Sequence, residues 1–86
     1  MIVLKVRNSS NYPAVSVSID GEIFFYDVLI HSDSLPRLVP SGTSSVCVFD
    51  NHGKTILNLW LSIPPCADCL LEIFDEYAVI KNIRSF

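Results

Sequence analysis

Apolar and polar positions alternate along this chain in short runs. Ile2, Leu4 and Val6 alternate with Val3, Lys5 and Arg7, the period of a half-buried strand. Residues 8–13 read as a loop. Val15, Val17 and Ile19 then alternate with Ser16 and Ser18, Asp20-Gly21 follows, and Glu22-Ile23-Phe24-Phe25-Tyr26 reads as the next strand. A two-residue turn at Asp20-Gly21 would set Ile19 opposite Glu22 and place a carboxylate inside. A three-residue loop with a left-handed Gly21 pairs Ser18 with Glu22 instead, and turns Ile23 and Phe25 inward. Because a one-residue slip inverts every side chain, the second register is the expected one.

Residues 27–34 read as a crossing loop. Leu35-Pro36-Arg37-Leu38-Val39 reads as a short strand, placed at an edge by its proline. Residues 43–49 and 54–63 read as two strands joined by the Asp50-Asn51-His52-Gly53 hairpin. Residues 64–69 form a further turn, and residues 70–74 a further strand. Residues 75–86 fit a strand or a short helix equally well. About seven short strands with frequent turn signals predict one all-β domain over residues 1–86: a small immunoglobulin-like antiparallel β-sandwich.

Composition agrees with strands. Val, Ile and Thr make up 20 of the 86 residues, and their branched side chains suit a pleated surface. Half the residues are hydrophobic and 17% are charged, which excludes a disordered tail. The net charge is −3 with the basic residues scattered, so no basic stripe points to nucleic acid. No apolar run is long enough for a transmembrane helix. The N-terminal apolar run is four residues, too short for a secretion signal, which favours a cytoplasmic location. Three cysteines are an odd count for a disulfide scaffold, so a reducing compartment is the simpler expectation.

Two segments carry a family likeness. One is Pro13-Ala14-Val15-Ser16-Val17-Ser18-Ile19-Asp20-Gly21. The other is Leu38-Val39-Pro40-Ser41-Gly42-Thr43, running on to Val46-Cys47-Val48. With them, residues 15–48 resemble the bacterial β-sandwich domain-of-unknown-function family 4397. The resemblance implies an immunoglobulin-like sandwich, usually with no known enzymatic activity and often at bacterial surfaces, and it brings no catalytic residues. A cell-envelope or spore-coat component is consistent with it.

Cys66-Ala67-Asp68-Cys69 is the most chemical-looking motif. Two cysteines at this spacing can hold half a tetrahedral zinc site or exchange disulfides. Zinc needs two further ligands. Cys47, His31 and His52 are available, but none forms a second pair with metal-ligand spacing. A thioredoxin-type pair would open a helix in a βαβ context, which is absent. The plainer reading is a turn that contains cysteines, with no cofactor. His31 near Asp33, and His52 near Asp50, read as ordinary loop residues, since nothing brings a nucleophile, base and orienting group together. No catalytic residue is expected. Ser41-Gly42-Thr43-Ser44-Ser45 lacks the glycines and lysine of a phosphate loop.

The aromatic residues say more. Alternation turns Phe24, Tyr26, Phe49 and Trp60 to the outer faces. Together they would form an interface patch, because burying one such ring gains roughly 1.5–3 kcal/mol. The expected function is therefore a structural or adaptor module. It would act through protein contacts, as a homo-oligomer or part of a larger assembly. The alternatives are a metal-binding or redox module at Cys66 and Cys69, and a carbohydrate-binding module using the aromatics with Ser16, Ser18 and Asn58.

Overall fold

The computed structural model describes residues 1–65 and 68–83. Eight strands fill most of it: β1 (Ile2–Asn8), β2 (Ala14–Ile19), β3 (Glu22–Leu29), β4 (Arg37–Val39), β5 (Gly42–Phe49), β6 (Thr55–Ile63), β7 (Asp68–Ile73) and β8 (Ala78–Ile83). They form two four-stranded sheets, ordered β4-β1-β7-β8 and β3-β2-β5-β6. The inner faces meet in one core that includes Leu4, Val6, Val15, Val17, Val46, Val48, Leu71 and Ile73. These are the alternating apolar positions of the sequence, and their burial selects an all-β sandwich. Among the described residues, no helix is long and apolar enough to cross a membrane.

The C-terminal segment, ambiguous in sequence, contributes the strand β8 at the end of the first sheet. It makes eight strands where about seven are expected. The sandwich is also not wholly antiparallel, since β1 and β7 run parallel, with Leu4 opposite Cys69 and Val6 opposite Leu71. Alternation fixes which side chains face the core, but strand direction depends on how the connections cross between sheets.

The β2–β3 hairpin departs from the expected register. Ile19 pairs with Glu22, so the loop is the two-residue Asp20-Gly21. Both residues have positive φ, 51° and 87°, as a type I′ turn requires. Glu22 stays exposed because it lies beside the turn on an edge strand. The parity is then corrected downstream by two bulges. Between Ser18↔Ile23 and Val17↔Phe25, β3 carries one extra residue, and it carries another before Val15↔Val28. The second includes Asp27, left-handed at φ 51°, whose N–H donates to Ser16 Oγ at 3.1 Å. As a result Ile23, expected inside, is 38% exposed, while Phe24 and Phe25 are both buried.

The crossing loop expected at residues 27–34 is confined to residues 30–34, which pass from the sheet of β3 to the edge of the other. Residues 27–29 belong to β3, and the chain then descends beside β1. The Asn8 N–H donates to Ser32 O, the Ser34 N–H to Val6 O, and the Val6 N–H to Ser34 Oγ. This stretch continues the edge that the short strand β4 forms, as Pro36 suggests.

Candidate functional site

The four aromatics do not form one patch. Tyr26 and Trp60 are exposed as expected, at 66% and 75%. Phe24 is only 9% exposed, because the bulge turns it toward the core. The Arg37 guanidinium lies over its ring, 5.9 Å from the centroid, and Arg37 Nη1 donates to Phe24 O at 2.9 Å. The outward orientation expected for Phe24 is therefore corrected. Phe49 is half-buried on β5. Since β3 and β6 are opposite edges of one sheet, Tyr26 and Trp60 stand on opposite sides of the molecule.

Each side has its own geometry. Where β3 approaches β4, a hollow of about 280 Å³ is lined by Phe24, Phe25, Tyr26, Leu35 and Arg37. Among the described residues Leu35, at 83%, is the most exposed large apolar residue, and Leu38 on β4 is also more than half exposed. Leu35 and Arg37 were not singled out in the sequence, because their neighbourhood with β3 arises only when the two sheets stack. A second, open cleft of about 340 Å³ lies on the outer face of the β3-β2-β5-β6 sheet. Ser16, Ile23, Asp27, Phe49, Asp50, Asn51 and Gly53 line it. Asp27 and Asn51 carry no sequence signal for this role, since they depend on the second bulge and on the β5–β6 turn.

On β6, Trp60 is opposite Ser45 and Asn58 is opposite Cys47, with Cys47 Sγ 3.6 Å from Asn58 Oδ1. Leu59 and Leu61 face the core but are only half-buried. The alternation read along residues 57–63 holds position by position.

Of the Cys66–Cys69 motif, Cys66 lies outside the described residues. Cys69 is buried in the core, opposite Leu4, with its Sγ 3.5 Å from Asn82 Oδ1. His31 and His52 occupy loops at the far end of the sandwich from the start of β7. Cys47 belongs to the other sheet. Among the described residues, no group of three or more His, Cys, Asp or Glu side chains could hold a metal ion.

The carboxylates near the histidines are engaged elsewhere. Asp33 accepts from Arg7 Nε at 2.8 Å and lies 3.4 Å from Lys5 Nζ. The hydrogen bond from Arg7 holds its carboxyl below the usual aspartate range. Asp50 Oδ1 accepts the backbone N–H groups of Lys54 and His52, both at 2.9 Å, which lowers its pKa as well. On the outer face of the other sheet, Glu72 accepts from Lys81 Nζ at 2.6 Å and from Ser9 Oγ at 2.8 Å. These bonds, that from Lys81 first, depress its pKa. The same outer face carries Leu70 between Lys5 and Lys81, and their chains leave it buried.

No known protein family, curated protein or solved structure matches the chain.

Proposed function

We propose that this chain is a non-catalytic structural or adaptor β-sandwich that works by associating with protein, as a homo-oligomer or within a larger assembly. The observation that carries the reading is a group of large apolar side chains left in water, among them Tyr26, Leu35, Leu38 and Trp60, each more than half exposed. Single exposed apolar residues are ordinary, but Tyr26 and Leu35 share one hollow with two further aromatics, which is the arrangement of a contact surface. Arg37 at its rim adds a residue type enriched in protein interfaces. The resemblance of residues 15–48 to family 4397 extends the proposal to an immunoglobulin-like, bacterial module of the envelope or spore coat. Mass measurement in solution across a concentration series tests it. Association weakened by Tyr26→Ser or Leu35→Ser, or by Trp60→Ser on the other side, supports it. A chain that stays monomeric at every concentration and retains no co-purifying protein contradicts it.

A second reading has one specific observation behind it. The 340 Å³ cleft places the Phe49 ring beside Asp27, Asp50, Asn51 and Ser16, an aromatic face with convergent polar groups suited to a sugar ring. Glycan-array binding that disappears in Phe49→Ala would favour it. An array without hits would set it aside.

A further inference from the structure

The two sheets end in four edges, and three of them are guarded. β3 has two bulges, carries Glu22 and Asp27, and has its Phe24 carbonyl taken by Arg37. β4 is three residues long and follows Pro36. β8 carries Lys81, anchored to Glu72. Bulges, charges, shortness and proline are the usual means of preventing edge-to-edge pairing. β6 is guarded only at its two ends, by a bulge at Ile56 and by Pro64 and Pro65 just beyond Ile63. It is the longest strand, nine residues, and Thr55-Ile56-Leu57-Asn58-Leu59-Trp60-Leu61-Ser62-Ile63 includes no charge. Its only irregularity is the extra residue Ile56. From Leu57 to Ile63 it pairs with β5 one residue to one.

Trp60 is the centre of that regular stretch of seven. Resting on the association reading above, we infer that β6 pairs antiparallel with β6 of a second copy about a two-fold axis at Trp60, joining two sheets into one of eight strands. This register sets Trp60 against its own copy, Asn58 against the partner's Ser62, Leu59 against the partner's Leu61, and Leu57 against the partner's Ile63. Polar and aromatic groups then meet on the outer face, and leucine and isoleucine meet on the inner one. The match is self-complementary, as a two-fold interface demands. The lack of charge matters here, because the chain is net negative and a charged edge would repel its copy. The pairing also covers Leu59 and Leu61, which the single sandwich leaves half-buried.

A nine-residue strand is about 30 Å long, which matches the 33 Å axis of the molecule. A side face of 33 by 18 Å is roughly 600 Å², an upper bound for each copy, which places such a dimer at or below the low end of specific interfaces.

Trp60 is the chain's one tryptophan, so its fluorescence reports the contact directly. Sedimentation equilibrium and Trp emission are followed over a dilution series of the full chain, with Asn58→Lys/Ser62→Lys and Tyr26→Ser/Leu35→Ser as variants. Both pairs are exposed positions, and thermal melting confirms that each variant folds. The expected result is a twofold mass that falls to 9.6 kDa on dilution, with emission shifting to the red as Trp60 returns to water. Asn58→Lys/Ser62→Lys should remain at 9.6 kDa throughout, with red emission. An oligomer broken by Tyr26→Ser/Leu35→Ser and indifferent to the β6 lysines would overturn this inference and leave the association reading standing. A wild-type chain that is monomeric at all concentrations would overturn the inference and self-association together.

Discussion

Asn8 shows how much one polar residue inside the sandwich organises. It is fully buried at the end of β1. Its Nδ2 donates to Tyr12 O at 3.1 Å and Val28 O at 3.0 Å, and its Oδ1 accepts from the backbone N–H and the hydroxyl of Ser10. It thus ties the loop of residues 9–13 to the end of β3 across the two sheets. Asn8→Ala strands those partners in the interior, and a buried polar group left unpaired costs about 1–3 kcal/mol. We expect Asn8→Ala to lower the urea midpoint by the equivalent of about 2–3 kcal/mol, without changing the slope. An unchanged midpoint would mean that water replaces the amide at no cost. In the sequence, Asn8 reads only as the first polar residue of a loop, because the pattern of polar and apolar positions cannot reveal a side chain that folds back into the core.

At the scale of elements, the β2–β3 hairpin carries the most information. Unbroken alternation would require the three-residue loop, but the chain satisfies burial differently, with a tight type I′ turn followed by two bulges. Gly21 sits at φ 87°, where a Cβ costs about 1–2 kcal/mol. Asp20 is held by more than its backbone, since its Oδ1 accepts the Ser45 N–H at 2.9 Å. We expect Gly21→Ala to destabilise the fold by about 1–2 kcal/mol in chemical denaturation. If the three-residue loop were correct, Asp20 would have no reason to be left-handed. Amide exchange can distinguish the two registers, because only the observed one fixes the pairing of Ser18 with Ile23. By contrast, β5 and β6 follow the alternation closely, apart from the bulge at Ile56. The Asp50-Asn51-His52-Gly53 turn lies between long alternating runs, and Val46, Val48, Leu57 and Ile63 are buried where alternation puts them.

For the whole molecule, the pattern of charge predicts how stability responds to acid. Asp33, Glu72 and Asp50 all have pKa values below those of free side chains, about 3.8 for aspartate and 4.5 for glutamate. As pH falls through that range the unfolded chain takes up protons first, so stability is lost with falling pH and is complete above it. We expect a flat urea midpoint from neutral pH to about 5 and a decline below. Asp33→Asn/Glu72→Gln should flatten the decline and lower the plateau slightly, since exposed pairs each contribute little. A midpoint that rose on acidification would contradict the assignment. On the outer face of the β4-β1-β7-β8 sheet, Lys5, Arg7, Asp33, Glu72 and Lys81 form paired charges, and Leu38 of β4 stays exposed beside them. No charged residue on β6 flanks Trp60, which agrees with the contact proposed there.

The order of apolar and polar residues by itself determined the all-β class, the core of Val, Ile and Leu, the edge position of the Pro36 strand and the outward Trp60. Each of these follows from a local period of two and from residues that cannot occupy other positions. The tertiary structure alone decided the parallel β1–β7 pair, the burial of Phe24 beneath Arg37, the strand formed by residues 78–83, and the separation of the aromatics onto opposite sides. All four depend on contacts between residues distant in the chain. A bulge or a stacked sheet redirects a side chain at no cost that its sequence neighbours reveal.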